Sequence, residues 1–112
     1  MKIIELTEHA LNWAVAKCEG LECTEDMGLL VVEGVDGYYV PSMKWAQGGP
    51  IIEREKIAIE WTGEGWSAYI RHADALPAVW ILFDDDTPLI AAMRCYVASK
   101  LGGEVEIPKE LT

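Results

Sequence analysis

The chain has 112 residues, of which 51% are hydrophobic and five are tryptophan, so its composition predicts one folded domain over residues 1–112 and excludes extensive disorder. Its 19 acidic and 9 basic residues give a formal net charge of −10, which disfavours direct binding to nucleic acids or to anionic membranes. The acid excess favours solubility first, and a basic protein partner second.

The cysteines and the first residues of the chain indicate the cellular compartment. Cys18, Cys23 and Cys95 are odd in number, which argues against a closed disulfide framework and indicates a reducing environment. Their spacing matches no zinc motif, so we expect no metal and no cofactor. The stretch MKIIELTEHA has acids where a signal peptide has its apolar core, and no apolar run approaches the ~20 residues of a membrane span. We therefore expect a cytoplasmic protein.

The first predicted element is a helix that begins after Thr7, whose side chain suits an N-cap. Apolar residues then recur every three or four positions as far as Cys18, and Gly20 is expected to end the helix. Trp13 lies off this apolar stripe. We expect Trp13 either to cover a second element or to remain half exposed, which makes it a candidate for a binding surface.

Two β-hairpins are predicted in the middle of the chain. Residues 29–40 combine a β-branched stretch with an Asp36-Gly37 turn signal. Residues 57–61 and 66–70 flank a second turn, and the first of these two segments alternates as a half-buried strand does.

The last third of the chain is predicted to hold a buried strand and a second helix. Residues 78–83, AVWILF, are apolar without alternation, which is typical of a strand covered on both faces. Thr87 and Pro88 suit the N-cap and first position of a helix that Gly102 ends. The acids at residues 84–86 lack the spacing of a calcium loop, so we interpret them as complementing the helix dipole.

The predicted elements do not alternate as βαβ units. The fold class we predict is therefore α+β, with a small, mostly antiparallel sheet of four to five strands packed against two helices. The tail after the last helix is expected to be an edge strand or loosely held.

The stretch WAQGGPIIERE, residues 45–55, is predicted to be a loop, because two glycines and a proline disfavour regular structure. With Trp13 it supplies the candidate binding surface, namely Trp13, Trp45, Gln47, Gly48, Gly49 and Arg54. The indole could stack on a planar ligand, the amide could hydrogen-bond its edge, and the guanidinium could bind an anion. The alternative interpretation is structural, with a core tryptophan, a tight turn and solvated charges. No phosphate-binding fingerprint is present.

Three stretches, LNWAVAKCEG, YVPSMKWAQGGPIIERE and TPLIAAMRCYVASKLGGEVEIP, resemble the NinX-like proteins of lambdoid and related phages and prophages. The resemblance runs over nearly the whole chain and keeps the same order. It implies a small, single-domain phage protein in the cytoplasm of the bacterial host. The family has no assigned activity, so the resemblance implies no catalytic residue.

The sequence leaves three hypotheses about function. The first is a non-enzymatic accessory protein that binds a host or phage protein, because acids are in excess and no nucleophile or metal motif is present. The second is a small-molecule or nucleotide-binding protein, or an enzyme, that uses residues 45–54. The third is a polyanion mimic, which needs acids in rows on one face. None of them predicts an oligomeric state.

Overall fold

The computed structural model describes residues 1–72 and 79–111. These residues form three α-helices, α1 (Glu8–Cys18), α2 (Trp45–Glu55) and α3 (Pro88–Leu101), and five strands, β1 (Cys23–Asp26), β2 (Leu29–Val32), β3 (Ala58–Trp61), β4 (Trp66–His72) and β5 (Val79–Asp85). Short 3₁₀ segments lie at Ile3–Glu5 and Lys109–Leu111. None of the helices in this part of the chain is long and apolar enough to cross a membrane.

The α+β class is confirmed, but the predicted single sheet of four to five strands against two helices is wrong. Strands β1 and β2 form one antiparallel sheet, and β3, β4 and β5 form a second, in that order. The additional helix, α2, occupies the connection between β2 and β3. The chain therefore begins a new sheet after α2 instead of extending the first one.

Helix α3 is the centre of the hydrophobic core. It packs against α1, α2 and all three strands of the larger sheet. Met93, Cys95 and Val97 are fully buried, and so are Ala91 and Ala92, whose small side chains let neighbouring elements approach closely. A helix that is apolar on nearly every side is typical of a position surrounded by other elements.

The ends of α1 and α3 are confirmed where the sequence predicts them. The Thr7 hydroxyl accepts a hydrogen bond from the N–H of Ala10 at 3.5 Å. The Thr87 hydroxyl likewise accepts one from the N–H of Ile90 at 3.1 Å, so both threonines are N-caps. Gly20 follows α1 with φ of +72°, a left-handed conformation that favours glycine.

The first hairpin lies earlier in the chain than predicted. Its turn is Met27-Gly28, where both residues have positive φ, 54° and 82°. Two consecutive positive values are typical of a tight hairpin turn. The predicted hairpin at residues 29–40 is therefore wrong in its second arm, and Asp36-Gly37 lies in the loop after β2. Methionine seldom adopts a left-handed conformation, so the residue at position 27 does not indicate a turn.

The larger sheet has one covered face and one exposed face. Its strands are confirmed, but β5 is not covered on both faces as predicted, because α3 packs on one side only. Ile81 and Phe83 are half-buried against the core, whereas Trp80 and Leu82 are 57% and 58% exposed. Residue 78, the first of the predicted strand, lies outside the described residues.

A buried polar contact ties α1 to the loop that precedes α2. Asn12 and Ser42 are both buried. The Oδ1 atom of Asn12 accepts hydrogen bonds from the N–H of Ser42 at 2.9 Å and from its hydroxyl at 2.7 Å. Because buried polar groups need partners, this contact fixes the loop against the helix.

Candidate functional site

The stretch WAQGGPIIERE forms helix α2, so its prediction as a loop is wrong. Gly48 has no positive φ, and the glycine is required for space instead. A β-carbon at Gly48 would lie 2.8 Å from Cδ2 of Leu89 and would collide with the carbonyl oxygen of Pro41. The close approach of α2 to the preceding loop and to α3 therefore outweighs the low helix propensity of glycine and proline.

The side chain of Gln47 holds the loop before α2. Its Oε1 atom accepts a hydrogen bond from the N–H of Val40 at 2.6 Å, and its Nε2 atom donates one to the carbonyl of Tyr38 at 3.1 Å. The amide therefore makes one accepting and one donating hydrogen bond to the backbone, as the peptide group of a neighbouring strand does. Gln47 therefore positions the chain before α2.

Arg54, at the other end of α2, joins three helices through a charged cluster. Its guanidinium donates two hydrogen bonds to the Glu19 carboxylate, from Nη1 at 3.0 Å and from Nη2 at 2.6 Å. Its Nε atom also donates to Glu55 at 2.8 Å. The hydroxyl of Tyr96, on α3, donates to Glu19, and Lys100 lies 3.2 Å from Glu55. We call these five residues the Arg54 cluster.

The Arg54 cluster shifts the pKa values of its members. Burial alone would raise the pKa of the Glu19 carboxyl, but hydrogen bonds from Arg54 and Tyr96 outweigh burial and lower that pKa. The pKa of the Tyr96 hydroxyl is raised, first by burial and then by its hydrogen bond to Glu19. These groups satisfy one another, so the cluster acts as a structural link between helices.

The lowered pKa of Glu19 predicts a loss of stability in acid. The ionised carboxylate stabilises the fold fully above its ordinary pKa of 4.5, and this contribution disappears as the pH falls through the lower pKa of the folded state. We expect Glu19→Gln to reduce the free energy of unfolding by about 1–2 kcal/mol at neutral pH, below the usual range for buried charged hydrogen bonds because Arg54 is half exposed. We also expect the free energy of unfolding of this variant to fall less steeply than that of the wild-type protein as the pH drops below the ordinary pKa. Urea denaturation across a pH series measures both.

Glu53→Gln is the matched control for this pH series, because Glu53 is an exposed acid on α2. It should leave both the stability at neutral pH and its decline in acid unchanged. If the free energy of unfolding of Glu19→Gln falls as steeply in acid as that of the wild-type protein, the ionised Glu19 carboxylate does not stabilise the fold.

Trp45 lies at the start of α2, far from Arg54. Its indole is 51% exposed, and with Met43 and the first turn of α3 it lines a shallow groove of about 210 Å³. An α-helix rises ~1.5 Å per residue, so Trp45 and Arg54 are separated by roughly 13 Å along the axis. Trp45, Gln47 and Arg54 thus face three different surroundings. The hypothesis of a small-molecule site requires them to converge, and they do not.

The remaining candidate, Trp13, lines a groove of about 610 Å³ between α1 and the first hairpin. The walls of this groove are Trp13, Lys17, Leu21, Glu22, Cys23, Thr24, Val31 and Glu33. The ammonium of Lys17 lies 5.6 Å from the centre of the indole of Trp13, within range of a cation–π contact. We call the groove lined by these eight residues the Trp13 groove.

Of the residues in the Trp13 groove, only Trp13 is predicted from the sequence. The lining residues Cys23, Thr24, Val31 and Glu33 could not be assigned to this surface because they depend on where the first hairpin lies. The signal that would have located them is Gly28, a glycine that follows one polar segment and precedes a short β-branched one.

Two of the acids at residues 84–86, Asp84 and Asp85, make contacts within the fold. The Asp85 carboxylate accepts a hydrogen bond from the N–H of Thr87 at 3.0 Å and pairs with Arg94 at 2.9 Å. The hydroxyl of Ser67 donates to Asp84. Within residues 1–72 and 79–111, no three histidine, cysteine or acidic side chains are grouped to hold a metal ion.

Comparison with known proteins connects the chain to a phage family. The family model described as "Bacteriophage P22, NinX" matches residues 2–100, from the first 3₁₀ segment to the last turn of α3. No curated protein matches the chain.

Proposed function

The chain belongs to the bacteriophage P22 NinX family, and on that premise we propose that this phage accessory protein works by binding another protein and catalyses no reaction. The observation that carries the proposal is the Trp13 groove. It brings an aromatic side chain, the apolar side chains of Leu21 and Val31, and two acids, Glu22 and Glu33, to one surface. Aromatic anchors surrounded by polar residues are typical of protein interfaces.

The partner that suits the Trp13 groove is a protein with an extended, basic segment. Glu22 and Glu33 line the groove, and the exposed Glu25 and Asp26 lie next along β1, whereas Lys17 is the base among the lining residues. This charge distribution favours a segment rich in lysine or arginine. Within the described part of the chain, β1 pairs with β2 alone, so its outer edge can accept a further strand.

We place this binding in the host cytoplasm. Cys18, Cys23 and Cys95 are all free thiols, as expected for a protein that acts in a reducing compartment. Burial raises the pKa of the Cys18 thiol to about 11 and that of Cys95 to about 12, so neither is poised for redox chemistry.

The polyanion-mimic hypothesis is less well supported than protein binding. Several acids are neutralised within the fold, since Glu19 pairs with Arg54, and Asp85 pairs with Arg94. A mimic of nucleic acid needs its negative charges unpaired and in rows. The remaining acids beside the Trp13 groove suit a short basic segment better.

The proposal predicts that reversing charge in the Trp13 groove removes a specific partner. The wild-type protein, immobilised and exposed to lysate of phage-infected host cells, is expected to retain a stoichiometric protein. The double variant Glu22→Lys/Glu33→Lys should weaken that interaction at least about tenfold, since opposite charges would then repel. Binding should also slow the alkylation of Cys23 by iodoacetamide, because Cys23 lines the groove.

The matched control is Glu53→Lys/Glu64→Lys, which makes the same change in net charge at exposed positions outside the Trp13 groove. It should retain the partner as the wild-type protein does. Equal retention by the groove variant and the control would overturn the assignment of the groove. Failure to retain any stoichiometric protein would overturn protein binding itself.

A further inference from the structure

Strand β5 has an unpaired edge. Within residues 1–72 and 79–111, β4 is the strand that pairs with it, and β5 ends the sheet on that side. Its seven residues, VWILFDD, include no proline and no lysine, which commonly protect the edges of sheets, and its two acidic residues lie together at one end. The N–H and C=O groups along this edge therefore form a template for another strand.

Apolar surface adjoins this edge on the outer face of the sheet. Trp80 and Leu82 are both more than half exposed. Tyr69, opposite Leu82 on β4, meets Trp80 edge-to-face with ring centres 5.7 Å apart. Exposed apolar surface next to an unpaired edge is typical of an interface between proteins.

The covered side of the same edge carries an apolar groove. It measures about 280 Å³, and its apolar walls are Ile3, Ile4 and Phe83. Ile4 is 53% exposed there. Side chains from a strand added beside β5 alternate between the two faces, so half of them would point towards this groove.

We propose that the chain forms a symmetric homodimer in which β5 pairs antiparallel with β5 of a second copy. The two-fold axis passes between the two copies of Leu82, the middle residue of Val79–Asp85. In this register Ile81 lies opposite Phe83 of the second copy, and both residues are on the covered face of the sheet, where Phe83 lines the apolar groove. An interface of this kind uses the same surface on both copies.

The charges of β5 favour the antiparallel direction for a second copy. In the antiparallel register, Asp84 lies opposite Trp80 of the second copy and Asp85 lies opposite Val79, so the acids occupy the two ends. A parallel arrangement would place Asp84 beside Asp84, and like charges directly opposite are destabilising. Arg71, on β4, lies opposite Trp80 within each copy. Each Asp84 would therefore also approach the side of the second copy that carries Arg71.

The dimer would join two three-stranded sheets into one sheet of six strands. None of the residues of the interface lines the Trp13 groove, so the dimer would present two such grooves. This inference does not depend on the proposed function, because it concerns a different surface.

Sedimentation velocity over a range of concentrations tests the dimer. We expect the wild-type protein to dimerise reversibly, and Leu82→Lys or Leu82→Glu to weaken the dimer at least about 100-fold, since two like charges would face each other across the axis. Leu82 is exposed in the single chain, so both variants should fold, which circular dichroism checks. Met43→Lys makes the same kind of change at another exposed position and should dimerise normally.

Mixing the two Leu82 variants tests the register. A lysine opposite a glutamate at the axis is attractive, so an equimolar mixture should recover a heterodimer while each variant alone stays monomeric. The proposal is overturned if the wild-type protein stays monomeric at its highest soluble concentration, or if Leu82→Lys dimerises normally. It is also overturned if the mixture stays monomeric, because stacked outer faces would then explain the association better than paired edges.

Discussion

Replacing Gly48 by alanine is expected to lower the free energy of unfolding by about 2 kcal/mol, the net of overpacking and improved helix propensity. The new β-carbon would meet Cδ2 of Leu89 at 2.8 Å and the carbonyl oxygen of Pro41 more closely still. A leucine side chain can rotate away, but a backbone carbonyl yields only if the loop moves. Urea denaturation followed by circular dichroism measures the loss.

The neighbouring glycine is the matched control for Gly48. A β-carbon at Gly49 would lie 3.8 Å from Cε3 of Trp45, which is ordinary van der Waals contact. Gly49→Ala should therefore raise the free energy of unfolding by up to about 1 kcal/mol through helix propensity. Two adjacent glycines in one helix should thus respond with opposite signs. Equal responses would mean that close approach is not the reason for glycine at position 48.

Replacing Asn12 by alanine is expected to lower the free energy of unfolding by about 3 kcal/mol, because two buried donors lose their acceptor. Both donors belong to Ser42, its N–H and its hydroxyl. Ser42 is buried, so both groups are shielded from bulk water. The loop before α2 would lose its attachment to α1. Thermal and urea denaturation both measure the change.

Ser42→Ala separates the two hydrogen bonds made by Asn12. It removes the hydroxyl but keeps the backbone N–H, so Asn12 retains one partner at 2.9 Å. The expected cost is about 1 kcal/mol, the usual net value of one hydrogen bond. A loss as large as that of Asn12→Ala would show that the hydroxyl, and not the backbone contact, holds the loop.

The elements that could be predicted from the sequence are those specified by neighbouring residues. Thr7 and Thr87 cap their helices as predicted, because an N-cap needs only a side-chain oxygen and the N–H groups of the next turn. The β3–β4 hairpin likewise follows from a local turn and alternating side chains. Such signals are complete within a few residues, so a single sequence carries them.

The element that could not be predicted from local residues is α2. Gly48 and Pro50 disfavour a helix on their own, whereas the close approach of Pro41 and Leu89 requires a glycine at position 48 of the helix. The contact with Leu89 joins segments distant in the chain, and a local pattern of two glycines and a proline indicates a loop because it contains no sign of that contact.

The candidate site was predicted only in part, for a related reason. Trp13 was identified because it lies off the apolar stripe of α1, and it does line a groove. Gln47 and Arg54 are close to Trp45 in sequence, and closeness in sequence is what predicts a shared surface for them. A helix turns each of them towards different neighbours, so closeness in sequence did not give a shared surface.

The dependence of α2 on distant neighbours also bears on the order in which the chain folds. A segment of this length with two glycines and a proline is a poor helix by itself in water. It needs Leu89 on α3 and Glu19 after α1 beside it. During synthesis, residues 45–55 leave the ribosome well before α3 does. We therefore infer that α2 forms only after α3 has been synthesised and can pack against it.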